Sequence, residues 1–299
     1  MTTNTYTNLA RVRDYLGLNT ANASANTDDD ATLMNFIGRA SRSIDAYTRR
    51  KFYPRVETRF YNYKESKRIF LDDDLLQLNT LKTQNGACAV ASGVLFLGTG
   101  DNWNNPPYDS ITMNDSSGSV LNFSATKQRA NEVTGIWGYN ESWGDAWVDT
   151  GASLNDAYSA SGLSLGLAGA GSVGSGASDV LGEYPRIAPG DLLKIGDEYF
   201  HVLSGGTSGN ASVIVKPYAN GTTATSHASG ASIAKYAPEP DIEWCARRLT
   251  GWLFGQKDSP YTQKTAFVQL GTLEIPSAWA VDIKDKLDSF VRTTFQVIP

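Results

Sequence analysis

Apolar residues recur every three to four positions at both ends of this chain and in short alternating runs between them, a pattern of helices enclosing strands. Near the start, Leu9, Val12 and Leu16 share one helical face and Gly17 stands where a helix would close, so a short helix is expected over 7–16. After a small, polar stretch, Thr27 and Asp30 have the spacing of a capping box, and Asp28 to Asp30 suit the positive end of a helix dipole. At about 100° per residue, Leu33, Phe36, Ile37, Ala40, Ile44 and Tyr47 then gather on one side, with Arg39, Arg42 and Arg49 near the opposite side. At the far end, Ile242, Cys245, Ala246, Leu249, Trp252 and Leu253 form one stripe behind Pro240, a residue suited to a first helical turn. Trp279, Ile283, Leu287 and Phe290 repeat that device behind Pro276.

Between the ends the period changes. "VETRFYNY", "RIFL" and "LNTLKTQ" predict short strands, with Asp72 to Asp74 in a turn among them. "GVLFLGTG" and "EVTGIWGY" add two apolar runs, and "DNWNNPPYDS" between them is a loop by its Asn and Pro content. Fifteen of the 28 glycines fall in residues 146–237, where "DLLKIGDEYFHVLS", "ASVIVKPY" and "ASIAKY" alternate and Asn220-Gly221 offers the positive φ angles of a tight hairpin turn. The expectation is an α+β fold: a helical core with a small sheet, residues 1–145 and 238–299, interrupted by an inserted all-β, barrel or sandwich-like domain over 146–237.

Charge and chemistry narrow the function. The net charge of −5 divides as −1, −3 and −1 over those three segments, and the lack of a basic segment disfavours a tight, non-specific DNA clamp. Cys88 and Cys245 make no disulfide framework; a start without an apolar leader and the absence of a long apolar run predict a soluble protein made in a cytoplasm, with no membrane partner. Only His201 and His227 could serve as imidazole bases; His201 reads as a packed strand residue and His227 as an exposed turn residue. No zinc or calcium spacing occurs, and "GAGSVGSG" lacks the flanks of a phosphate cradle, so no enzyme activity, metal or cofactor is expected.

The basic cluster remains. Arg49, Arg50 and Lys51 suit the last turn of a helix that Tyr53-Pro54 must end. Yet seven basic residues stand between Arg39 and Arg59 against only Asp45 and Glu57, more than one helix end requires. Arg39, Arg42, Arg49, Arg50 and Arg55 are therefore candidate subunit-interface residues facing an acidic surface of a neighbouring copy, with DNA contact as the second reading.

"LARVRDYLGL", a gap, "DDDATLMNFIGRASRSIDAYTRRKFYP", strands, "VTGIWGY", and then "PEPDIEWCARRLTGWLF" and "LEIPSAWAVDIKDKLDSF" resemble, in order and spacing, the head-tail connector (head completion adaptor) family of tailed bacteriophages over residues 1–140 and 238–299. The middle segment looks like a small β unit found in phage structural proteins, a domain that simple adaptors lack. The resemblance implies a non-enzymatic virion protein assembled in the host cytoplasm, forming a dodecameric ring under the portal at the head-tail interface. Such a ring joins the portal to neck or tail proteins and lets DNA pass. It further implies that the C-terminal region docks on portal or a neighbour, which makes the apolar Phe295, Val297 and Ile298, with Gln296 among them, the candidate element. The alternative is a virion surface protein that binds host carbohydrate through Trp147, Tyr158, Tyr184, Tyr199 or Tyr218.

Overall fold

The computed structural model describes residues 3–18, 28–84, 86–88, 94–98, 105–114, 120–168, 187–205, 212–257, 264–267, 271–274 and 279–292. The fold is α+β, with four α-helices among the described residues: α1 (Leu9–Tyr15), α2 (Asp30–Thr48), α3 (Pro240–Gly255) and α4 (Val281–Asp288). Strands β1 (Arg55–Tyr61), β2 (Arg68–Thr83), β3 (Gly86–Cys88), β4 (Val94–Gly98), β5 (Tyr108–Met113) and β6 (Asn131–Trp137) form one sheet. Strands β7 (Trp147–Leu154), β8 (Ser164–Ala168), β9 (Leu192–Ile195), β10 (Glu198–Gly205), β11 (Ser212–Lys216) and β12 (Ser232–Tyr236) form a closed barrel. A hairpin, β13 (Lys264–Phe267) with β14 (Gly271–Glu274), completes the set. Two compact units result: Met1–Arg49, Trp147–Ala219 and Ala224–Pro299 make one, and Arg50–Ala146 with Asn220–Thr223 the other.

In the first unit the helices are built by the two terminal apolar patterns. α2 packs on α3, α1 lies against both, and α4 joins them. Leu9, Val12, Leu33 and Ile37 meet in one buried cluster, with Leu16, Met34 and Phe254 packed around it. Gly17, at φ 68°, follows α1 as its spacing predicts. Thr27 lies outside the described residues. The Asp29 side chain caps no N–H group; Asp29 instead pairs with Lys257 at 2.6 Å and Asp30 with Arg13 at 2.5 Å.

α2 also ends earlier than the basic cluster suggests. Arg49 takes the left-handed conformation, φ 56° and ψ 28°, and its N–H bonds to Asp45 O, so Arg50 and Lys51 leave the helix instead of lining its last turn. A left-handed residue with a Cβ is strained, and this position ordinarily favours glycine. Arg49→Gly should therefore raise the unfolding free energy by about 0.5–1 kcal/mol, read from chemical denaturation of the purified protein.

The barrel follows the order β10-β11-β8-β7-β12-β9 and closes through β9 and β10. Alternation along each strand sends Leu165, Leu193, Ile195, Phe200, Val213, Val215 and Ile233 into a dry interior, and closure leaves no sheet edge to template unwanted pairing. Asn220 and Gly221 do have positive φ, 54° and 83°. Their turn is not a hairpin, however, because β11 pairs with β10 and β8 whereas β12 pairs with β7 and β9.

In the second unit the order is β1-β6-β2-β5-β4, with β3 on β2. "RIFLDDDLLQLNTLKT" is one 16-residue strand, so Asp72 to Asp74 lie inside β2 and not in a turn. The chain bends there through irregular register, between Phe70 and Leu75 against β5 and again between Leu75 and Gln77 against β6. Gly135 is what the second irregularity needs: a Cβ on it would sit 2.3 Å from Gln77 O and 2.8 Å from Leu75 Cδ1. β5 begins inside the stretch expected to be loop, because Tyr108, Ile111 and Met113 bury their side chains with Leu75, Leu81, Val133 and Trp137. At the turn Asn220–Thr223, Asn220 Nδ2 donates to Pro54 O at 2.9 Å, and Gly221 sits so close to Val56 that a Cβ would lie 2.2 Å from its carbonyl oxygen.

Candidate functional site

α2 turns its cationic side outward. Arg39, Arg42 and Arg49 are exposed, while Leu33, Ile37, Ala40 and Ile44 on the other side are fully buried. Arg42 is tied down: it pairs with the buried Asp45 at 3.1 Å and lies over the Tyr6 ring at 5.9 Å. Arg39 and Arg49 hold no carboxylate through their guanidinium groups among the described residues. Two exposed cations without an internal carboxylate among the described residues are suited to a partner's carboxylates.

Arg50 and Arg55 belong to a different environment in the sheet unit. Arg50 is buried, pairs with the buried Asp74 at 2.6 Å, and places its guanidinium 4.3 Å over the Tyr139 ring. Arg55 pairs with Asp73 at 2.5 Å and Glu57 at 2.9 Å. Arg59, stacked 4.2 Å over Trp137, holds Glu57, Asp72 and Asp73. Burial alone would raise the Asp73 carboxyl, but the Arg55 charge, the Asp74 N–H and Arg59 outweigh it and hold its pKa below the usual carboxylate range. The same balance, with Tyr61 and Arg59 as the stabilising partners, lowers Asp72. Much of the surplus of base over acid in residues 39–59 is thus answered by the "DDD" run, which the sequence places 13 to 24 residues away from its partners.

What fastens the barrel to the helices, inside the first unit, is the N-terminal segment Thr5–Asn8. Thr5 Oγ1 donates to Gly190 O at 2.8 Å. Tyr6, fully buried, takes its N–H to Ser41 Oγ at 3.1 Å and donates its hydroxyl to Asp45. Thr7 Oγ1 donates to Glu243 of α3 at 2.8 Å, a carboxylate that also receives Arg247 at 3.1 Å. Asn8 has two roles: its Oδ1 accepts from Arg11 N at 2.9 Å and so caps α1, while its Nδ2 donates to the buried Asp191 at 3.0 Å. Asp191, at the entry to β9, also accepts from Ala188 N at 2.7 Å. Three buried carboxylates, on α2, on α3 and at the entry to β9, therefore clasp three consecutive residues, and the Gly190 carbonyl holds Thr5 before them. The N-cap is readable from "TNLAR"; the partners, 39 to 236 residues distant, are not.

The two histidines sit in the barrel. His201 is buried, in keeping with its strand position. His227 is anchored and not free in a turn: its Nε2 lies 3.0 Å from Glu198 Oε2, and its ring stacks on Tyr158. Glu198, 1% exposed, also accepts from Tyr218 N and Thr225 N, so one carboxylate pins the start and the middle of the connection between β11 and β12. Burial, followed by the Glu198 charge, pushes the Tyr158 hydroxyl up to about 12. The Thr225 hydroxyl lies 3.2 Å from the same imidazole nitrogen and 3.2 Å from Glu198 Oε2, so carboxylate, imidazole and hydroxyl together fasten this long loop.

Of the aromatic residues in the barrel segment, Tyr158 and Tyr199 are buried, Trp147 is half-buried against Tyr199 and Tyr236, and Tyr218 is 51% exposed; Tyr184 lies outside the described residues. Phe295, Gln296, Val297 and Ile298 also lie outside them. Among the described residues no group of three or more His, Cys, Asp or Glu side chains is placed to hold a metal. A cleft between the N-terminal segment and β9 and β12, lined by Asn8, Arg11, Asp191 and Lys235, measures about 30 Å³, room for one or two waters and far below the size of an ordinary ligand site. No family model matches the chain, and no curated protein matches it.

Proposed function

We propose that this protein is a structural adaptor of a tailed-phage virion, a subunit of a closed, dodecameric ring under the portal that joins it to neck or tail proteins while DNA passes through. One observation carries the reading: helices from the two ends of the chain and the barrel belong to one compact unit, while Arg39 on α2 and Arg49 at its cap are exposed with no carboxylate partner among the described residues. A compact body with an unsatisfied cationic side suits repeated head-to-tail association, which closes into a ring when the rotation between copies permits. Arg39, Arg42 and Arg49 make the positive half of that interface. Arg50 and Arg55 serve the subunit's own fold, since both are committed to internal carboxylates. Residues 295–298, apolar apart from Gln296, are the proposed contact to portal or to a neighbour, and the site of action is the head-tail interface of the virion.

The test is Arg39→Glu combined with Arg49→Glu, measured by size-exclusion chromatography with light scattering. Arg42 is left alone because reversing it would place two carboxylates against each other at Asp45. The double variant should melt within about 1 kcal/mol of the parent, as surface substitutions do, yet populate rings at least tenfold less at equal concentration. Undiminished assembly would remove α2 from the interface. Carbohydrate binding by the barrel has less support, because among the described candidates only Tyr218 offers an open ring.

A further inference from the structure

One end of the sheet unit has a charge opposite to that of the chain. Where β1 leaves the sheet at Tyr61 and β6 enters at Asn131, segments 62–67 and 121–130 interlock: Tyr63 N donates to Lys127 O at 2.8 Å and Arg129 N to Asn62 Oδ1 at 2.9 Å. Residues 60–67 and 121–130 carry Lys64, Lys67, Lys127 and Arg129 against a single carboxylate, Glu65, in a protein of net charge −5. All four cations are exposed. Glu65 meets Lys127 at 2.5 Å on the open surface, an ion pair of small worth that a competing anion can replace.

Aromatic rings stand among these cations and are not withdrawn into the core. Phe60 is 45% exposed and Phe123 39%. The Arg129 guanidinium lies 4.3 Å over the Phe60 ring, the Lys127 ammonium 5.5 Å over Phe123, and Tyr63 packs 5.1 Å from Phe123. Each ring is a platform that holds a charged head at the surface. The side-chain entropy a flexible cation loses on meeting an anion is thereby partly lost in advance, which favours association. The rings also leave open apolar faces of the kind that sugars and bases cover.

We propose that this end of the sheet unit contacts nucleic acid, taking the phosphate backbone through Lys64, Lys67, Lys127 and Arg129 with Phe60 and Phe123 as supports. A polyanion with charges at regular spacing can meet several of these points at once, and four cations set a weak, sequence-independent, salt-sensitive contact and not a clamp. The inference goes beyond the adaptor reading and does not depend on ring formation.

The experiment is fluorescence anisotropy of a labelled 20-base-pair duplex of arbitrary sequence titrated with the full chain at several salt concentrations. With four phosphate contacts the slope of log K against log [salt] should reach no more than about −3.6 in magnitude. Lys127→Glu with Arg129→Glu should weaken binding at low salt by about tenfold or more. Lys216→Glu, exposed on β11 of the barrel, should leave it unchanged. Because the reversed residues are exposed, an unaltered melting curve is required of the variant, and Lys64→Gln with Lys67→Gln supplies a milder second test, expected to lower both affinity and slope. A single strand of the same sequence that loses binding in the same variants also supports the contact, since it shares the phosphate chemistry. Binding with no salt dependence, binding indifferent to both variants, or displacement of the duplex by polyglutamate at equal charge concentration would overturn it, the last by making the patch a site for acidic protein. Light scattering on the same variants should still show rings, so the failure of this contact and the failure of the adaptor reading are separable.

Discussion

Asp74→Ala should destabilise the protein by about 3–5 kcal/mol, the range seen when one member of a buried ion pair is removed and its partner stays behind. Arg50 and Asp74 are both nearly inaccessible, 2.6 Å apart, with Arg50 enclosed further by the Tyr139 ring. Deleting the carboxylate leaves a guanidinium in a space that water reaches poorly, and the backbone there is equally constrained, since Gly138 N bonds to Asp74 O at 2.9 Å and Tyr139 N to Lys51 O at 2.8 Å. Replacing both partners at once, Arg50→Met with Asp74→Leu, should recover most of the loss, because no uncompensated charge is then buried. Urea denaturation followed by tryptophan fluorescence measures both, as Trp137 is fully buried in the same unit. A fall of less than about 1 kcal/mol in Asp74→Ala would show the pair to be solvated. The neighbouring carboxylates add a pH signature. Asp72 and Asp73 have folded pKa values below their unfolded ones, so the stability they contribute is complete above the unfolded value, near pH 4, and is lost as pH falls through the folded values.

Asp191→Ala should cost about 3 kcal/mol by a different route, since two buried donors, Asn8 Nδ2 and Ala188 N, lose their acceptor at roughly 1–3 kcal/mol each. The loss should be shared with Asn8: in a double-mutant cycle of Asn8→Ala and Asp191→Ala the coupling should lie between about 0.5 and 3 kcal/mol. Asn8→Ala alone removes the α1 cap as well, so it should cost more than the coupling. The expected phenotype is specific. With the clasp broken, residues 5–8 should become accessible to protease while the barrel, which closes on itself, keeps its amide protection. Additive single effects with no change in cleavage would mean that the segment lies on the surface without fastening anything.

How much of this was legible beforehand depends on the range over which each signal acts. The apolar sides of α2 and α3 and the last four strands of the barrel, β9 to β12, are local periodicities and stand where the residues place them, whereas β7 and β8 lie in stretches without a clear alternation. Barrel closure was open between two architectures because alternation fixes a strand's faces but not its neighbours. The "DDD" run reads as a turn because acidic residues ordinarily punctuate strands, whereas Arg50, Arg55 and Arg59 pair with it and keep it inside one. Arg49 misled in a similar way, as a cation near a helix end suggests a dipole contact, whereas its backbone serves as a left-handed cap. The clasp was the least visible element, since "TYTN" is unremarkable until Asp45, Asp191 and Glu243 are brought to it. Of the five candidate arginines, Arg39 and Arg42 on α2 and Arg49 at its cap are exposed, and the two beyond are drawn to acids that local spacing does not reveal.

The adaptor account stands or falls on self-association of the intact, 32.3 kDa chain. Mass photometry of the purified protein over a wide concentration range gives the answer directly. A closed species at twelve times the monomer mass, depleted by reversing Arg39 and Arg49, is the predicted result; a monomer at every concentration, unaffected by that reversal, would contradict it.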